Sequence, residues 1–121
     1  MKASAAEILS RIPSTPSKEW PAGERYATAI AHGSMSVGLY APRGQDPQTP
    51  HHQDEVYIVR SGDADFVMSG ERHPCATGDV LFVAAGVEHR FEGLSADFST
   101  WVVFWGPKGG ERESAGPEEG S

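Results

Sequence analysis

The sequence predicts an all-β domain, an antiparallel sandwich or jelly-roll barrel, with a short N-terminal helix ahead of it and a disordered C-terminal tail behind it. Three observations carry that prediction. Short apolar runs recur between residues 26 and 105, and turns containing Gly or Pro separate them at fairly even spacing. At 121 residues the chain has room for one domain and one core. Beyond Gly106 the composition changes abruptly to Gly, Glu, Pro and Ser, which cannot bury enough apolar surface to offset the entropy of ordering.

Each element has a local reason. Ser4-Ala5-Ala6-Glu7 reads as a capping box, in which the Ser4 hydroxyl and the Glu7 carboxylate satisfy free N–H groups. Ile8, Leu9 and Ile12 follow close to helical spacing, and Pro13 stops the helix. Prolines and serines from Pro13 to Gly23 mark an irregular connector. Tyr26 to His32 and Met35 to Ala41 are strands joined by Gly33-Ser34, a hairpin turn. A loop from Pro42 to Pro50 leads to Glu55–Arg60, closed by Ser61-Gly62-Asp63, and then to Ala64–Met68, which turns at Ser69-Gly70-Glu71. Val80 to Ala84, His89 to Phe91 and Phe98 to Trp105 complete about eight short strands, the last being the longest apolar run. The expected division is a helix and connector over residues 1–23, a barrel over 24–106 and a disordered tail over 107–121.

Composition narrows the function. The formal net charge is −7 and the arginines Arg43, Arg60, Arg72 and Arg90 are scattered, so nucleic acid is not an expected partner. Hydrophobic residues make up 38%, and no apolar run approaches the length of a membrane span. The N-terminus lacks the pattern of a secretory signal, which predicts a cytoplasmic location. Cys75 is the single cysteine; it cannot form an internal disulfide and reads as a small side chain in a turn.

Two stretches carry chemistry. His51-His52-Gln53-Asp54-Glu55 opens a run that ends at Gly62, and Gly78-Asp79 opens one that ends in Gly86-Val87-Glu88-His89. Each puts imidazole or carboxylate at the end of a strand. If Glu55 points inward, the pleat sends Gln53, His51 and Thr49 to the same side and His52 and Asp54 away. A divalent transition metal would then be held by His51, Glu55 and His89, with the Gln53 amide oxygen as a weak fourth ligand. His52 replaces His51 if a bulge shifts the register by one residue. Two imidazoles and a carboxylate suit Fe, Mn, Ni, Co or Zn about equally. His32 and His73 lack such partners and read as surface or turn residues.

These motifs resemble those of the small single-domain cupins. The first cupin motif has two histidines one residue apart, a glutamate three or four residues on, then six residues and a glycine; here His51, Glu55 and Gly62 fall on its second histidine, its glutamate and its glycine. The second motif runs through a glycine, a proline, a glycine, a histidine and an asparagine, and Gly78, Gly86 and His89 match it in register. The resemblance covers roughly residues 35 to 105 and implies a cupin-type jelly-roll barrel. Thr49 stands at the first histidine, Ala84 at the proline and Gly93 at the asparagine, while Gly44 sits one residue off the usual upstream glycine. The resemblance therefore implies a three-ligand site of His51, Glu55 and His89.

Tyr57 and Val59 share the parity of Glu55, and Phe91 shares that of His89. In the last strand either Trp101, Val103 and Trp105 or Thr100, Val102 and Phe104 face inward, both sets large and apolar enough for a dry cavity. The candidate pocket residues are Tyr40, Arg43, Val59, Phe91, Trp101 and Val103. Tyr57 or an unligated His52 is the candidate acid or base. The expected function is a metal-dependent enzyme acting on a small organic metabolite, an oxygenase or an isomerase or lyase. The alternative is a non-enzymatic module that binds or senses a small ligand. Resemblance to small cupins, which commonly pair through their outer sheets, also implies a homodimer.

Overall fold

The computed structural model describes residues 1–112. One short helix, α1 (Ala5–Leu9), precedes eight strands: β1 (Tyr26–His32), β2 (Met35–Tyr40), β3 (Asp54–Ser61), β4 (Asp63–Met68), β5 (Glu71–Ala76), β6 (Val80–Val83), β7 (His89–Glu92) and β8 (Ser99–Trp105). The strands form a five-stranded sheet in the order β1-β2-β8-β3-β6 and a three-stranded sheet in the order β5-β4-β7, with every pairing antiparallel. This is the jelly-roll barrel expected from the alternating runs. Among the described residues no helix is long and apolar enough to cross a membrane.

Local rules account for the joints. Ser4 caps α1 by accepting from the Glu7 N–H, but the Glu7 carboxylate turns to Arg11 instead of closing the capping box. Gly33-Ser34 links β1 to β2 with His32 opposite Met35, a two-residue hairpin. Gly62 alone separates β3 from β4 and passes the chain from one sheet to the other. Its φ is 76°, and a side chain there would run into Ser95 and Asp97, so the crossing requires glycine.

The core lies between the sheets. In β3 the burial pattern places Glu55, Tyr57 and Val59 inward and exposes Ile58. Tyr57, Phe66, Phe91 and Phe98 pack as one aromatic cluster, with ring centroids 4.8 to 5.7 Å apart. Each buried aromatic contributes about 1.5–3 kcal/mol through the area it removes from water, and the cluster stiffens the floor on which Tyr57 stands.

Several expectations are corrected. Cys75 lies in strand β5, not in a turn, and is buried opposite Ala64. Strand β5 is the edge of the three-stranded sheet, where Pro74 needs no ladder partner on its outer side, and Glu71 to Pro74 are exposed, so no apolar alternation announces the strand. In β8 the inward set is Thr100, Val102 and Phe104, because Glu55 pairs with Phe104 and Tyr57 with Val102. Trp101 and Val103 pair with Ile58 and Val56 on the outer face. Residues 107–112 do not leave the barrel as a free tail: Gly109 N–H donates to the His52 carbonyl at 2.7 Å and Glu111 N–H to Asp54 Oδ2 at 2.8 Å. A buried carboxylate at position 54 needs donors, and this segment supplies one. The rest of the expected tail, 113–121, lies outside the described residues.

Candidate metal centre

His51 sits just ahead of the His52–Gln53 bend that leads into β3, Glu55 is the second residue of β3 and His89 is the first of β7. Their ligating atoms all lie within 4.8 Å of one another. His89 Nε2 is 2.9 Å from Glu55 Oε1, and His51 Nε2 is 3.8 Å from the same oxygen. Glu55 and His89 are almost wholly buried, and His51 is half-buried with its ring edge-on to Phe104. Donor atoms bound about 2.1 Å from one ion lie about 3 to 4 Å apart over the usual range of bond angles, so these two separations suit a common cation.

Protons sharpen the point. His89 Nδ1 lies 2.9 Å from the Val87 carbonyl oxygen, which can only accept, so the Nδ1–H points there and the Nε2 lone pair faces the site. In the neutral ring, Nε2 and Glu55 Oε1 then meet as two acceptors at 2.9 Å. Among the described residues neither Glu55 oxygen has a satisfactory hydrogen-bond donor. A buried carboxylate without donors costs several kcal/mol unless it meets a cation. The donor set therefore fits a divalent metal.

Electrostatics separates the two imidazoles. Burial is the largest influence on His51 and pulls its pKa down, despite the Glu55 charge. Burial also acts downward on His89, but the adjacent Glu55 carboxylate and the Val87 carbonyl, which both favour the protonated ring, outweigh it, and the net shift is upward. Tyr57 is held well above the usual phenol range, by burial first and then by the Glu55 charge. Its hydroxyl lies 3.0 Å from His89 Nε2 and donates to Gln48 Oε1 at 2.9 Å.

Gln48 is the site residue that the sequence does not signal. Its Oε1 is 3.0 Å from His51 Nε2, while its Nε2 donates to Asp46 Oδ2 at 2.7 Å. Asp46 also accepts from Phe91 N–H at 2.8 Å, from Gln48 N–H at 3.2 Å and from the Tyr40 hydroxyl. An amide held this way must turn its NH2 to the carboxylate, so its oxygen faces the site. The loop that carries both residues has no periodicity, which hides them in the sequence. Thr49, at the place of the first cupin histidine, is exposed on the cavity wall.

Gln53 and His52 are corrected. The Gln53 amide nitrogen donates to the Ser34 and Gly106 carbonyls at 2.9 Å each, tying the β1–β2 turn to the end of β8, and Gln53 is not among the residues lining the cavity at the cluster. His52 is exposed and offers only its carbonyl, to Gly109. Strand β3 begins at Asp54, so the alternation that grouped Gln53 with Glu55 does not extend back through the bend.

A cavity of about 660 Å³ opens onto the cluster. Tyr40 and Arg43 line it, as do Tyr26, Val102 and Phe104. Gly38 lets the Tyr26 ring lie across β2, since any side chain there would collide with that ring. Val59 and Phe91 stand behind Tyr57 in the core, and Trp101 and Val103 face outward; all four are absent from the wall.

Known proteins share this architecture. The cupin-domain family model matches residues 36–105, which include both ligand-bearing segments from Glu55's strand onward to His89 and β8. An uncharacterized protein of Streptomyces coelicolor is 44% identical over 85 residues, covering 69% of this chain and 81% of that one. A cupin 2 conserved barrel domain protein of Salinispora arenicola superposes with a TM-score of 0.62 at 19% identity, over 88% of this chain and 87% of the other. The DMSP lyase DddQ of Ruegeria pomeroyi superposes with a TM-score of 0.58 at 25% identity, over 68% of this chain and 47% of the lyase. With the family model spanning most of the barrel that brings His51, Glu55 and His89 together, the chain belongs to the cupin family.

Proposed function

We propose that this protein is a metal-dependent enzyme in which His51, Glu55 and His89 hold one divalent transition-metal ion beside a cavity for a small organic substrate. The observation that carries the reading is the buried Glu55 carboxylate, which lacks a donor among the described residues and faces two imidazoles. When bound, the ion supplies a Lewis acid that polarises a substrate oxygen. Gln48 Oε1, steered by Asp46, offers a fourth ligand atom in a chain where Thr49 has no imidazole to give. Tyr57 holds a proton on Oη at the edge of the cluster, and Val102 and Phe104 keep water from the wall. A proton carrier so close to the ligands favours isomerase or lyase chemistry, in which a proton moves between substrate carbon and oxygen. The likeness to a lyase supports the same choice.

Metal analysis of protein purified without a histidine tag tests the centre: about one ion per chain is expected, and His89→Ala should lose it. Equal metal in both would overturn the assignment. In D2O the metal-loaded protein should exchange carbon-bound protons in some member of a panel of β-keto and α-hydroxycarbonyl compounds, read by NMR. Tyr57→Phe should keep the metal and lose the exchange.

We further propose that two copies pair through the outer face of the five-stranded sheet. Val80 and Phe82 are 64% and 54% exposed, and they continue the apolar face of Val56, Ile58, Trp101 and Val103. Strand β6 is also a free sheet edge, so a second copy would cover surface that otherwise invites aggregation.

A further inference from the structure

The cavity beside the metal cluster carries two arginines that have no acidic partner. Arg25 stands just before β1 and Arg43 just after β2, and the pairing of Tyr26 with Tyr40 brings their backbones together. Both side chains reach one carbonyl: Arg25 Nε donates to Ala41 O at 2.8 Å and Arg43 Nη1 to the same oxygen at 3.2 Å. Arg43 Nη1 is held further by the Pro42 and Phe98 carbonyls, at 2.9 and 3.0 Å. The two cations are thus anchored close together by backbone and both line the cavity.

Among the described residues neither guanidinium has a carboxylate oxygen within 4.0 Å, whereas Arg11, Arg72 and Arg90 each do. Arg60, also without a carboxylate that close, is held by the Ser61 and Ser99 hydroxyls, whereas two unpaired arginines side by side on one cavity wall are an arrangement that needs a reason. Arg25 is half-buried and Arg43 exposed, and the Arg25 pKa is pulled down by burial first and then by repulsion from the Arg43 charge. An oxyanion would relieve that repulsion. Arg25 spends only Nε and Arg43 only Nη1 on the backbone, which leaves N–H groups on both forks for a planar acceptor. Trp20, Tyr26, Val102 and Phe104 offer an apolar wall for the rest of such a molecule. Glu24 also lines the cavity, unpaired with either arginine, and acts against an anion at longer range.

We propose that Arg25 and Arg43 form the oxyanion subsite of this cavity, so that the substrate of the metal centre is a small organic acid whose carboxylate rests on the two guanidiniums while its apolar body lies along Val102 and Phe104. The assignment of a substrate rests on the metal-centre reading; the anion subsite itself does not.

The test is binding to metal-stripped protein, read from the fluorescence of Trp20 and its neighbours, with phenylacetate and its uncharged analogue phenylacetamide as probes. The wild type should prefer the acid by about tenfold, equivalent to about 1.4 kcal/mol. Arg25→Gln with Arg43→Gln should bring that preference to within about twofold and leave amide binding unchanged. Glu24→Gln should tighten acid binding. Because Arg43 also holds backbone, a second measurement uses wild-type protein alone: inorganic phosphate should displace phenylacetate and spare phenylacetamide. A tenfold preference that survives in the double variant, no preference in the wild type, or phosphate acting on both probes alike would each overturn the subsite. Since no metal is present, absence of a bound ion in the native protein would sink the centre and leave this result untouched.

Discussion

The backbone N–H of Gly86 donates to the carbonyl oxygen of His51 at 2.8 Å. That bond ties the segment before β3 to the turn before β7 within a few residues of all three candidate ligands. Asp54 adds a second tie, accepting from Ala85 N–H at 2.9 Å. The two segments therefore meet through their backbones before any cation draws their side chains together, which lowers the ordering that metal binding must impose.

Replacing Glu55 should separate the roles of metal and fold. In chelated protein at pH 8, Glu55→Gln removes a buried charge that lacks donors and should raise stability by about 1–3 kcal/mol. With saturating metal the order should reverse, because the wild type alone gains the binding energy. Thermal melts with and without chelator decide it; a variant less stable under both conditions would contradict the orphan-carboxylate account.

Gln48→Leu should weaken metal binding by about tenfold, and Asp46→Asn should do so to a similar extent by loosening the hold on the amide. Gln48→His should restore or exceed the wild-type affinity. Competition against a chromophoric chelator reads all three. Unchanged affinity in Gln48→Leu would place that amide outside the centre.

Cys75 should be inert in the native state. Burial, followed by the Asp79 charge, raises its thiol to about 11. At pH 8 only about one molecule in a thousand is thiolate, so a thiol reagent should label folded protein orders of magnitude more slowly than protein in urea. The folded pKa exceeds the unfolded one. The neutral thiol's contribution is therefore complete below the unfolded value near 9.0 and is lost as pH climbs toward 11. Cys75→Ser should show a shallower decline in stability over that window.

Phe82→Lys should abolish the proposed pairing and leave a monomer. The side chain is 54% exposed and packs only loosely, 6.2 Å from the Trp105 ring, so the monomer should lose no more than about 0.5 kcal/mol of its own stability. Light scattering on a sizing column gives the answer, and a monomeric wild type would remove the pairing proposal.

The legible parts of this molecule were those with a period or a fixed offset. Strands β1 to β4 and β6 to β8 alternate or form apolar runs between Gly turns, and His51, Glu55 and His89 stand at strand ends. Strand β5 was hidden because an edge strand with four consecutive exposed residues leaves no apolar trace. The inward face of β8 was undecidable because both of its faces are apolar, one lining the cavity and one facing outward. Gln53 was misplaced by carrying a pleat past the strand's first residue, and Gln48 and Asp46 act from a loop where only tertiary contacts fix direction. Arg25 lay at the end of a connector with nothing to connect it to Arg43 until β1 met β2.

One further result follows from the double duty of Asp54, whose two oxygens grip Ala85 and Glu111. A version of the chain trimmed after Trp105 would retain every strand and still lose one jaw of a clamp set immediately beside Glu55. Shortening at that end should thus be felt first as a looser grip on the ion, long before the barrel itself begins to melt.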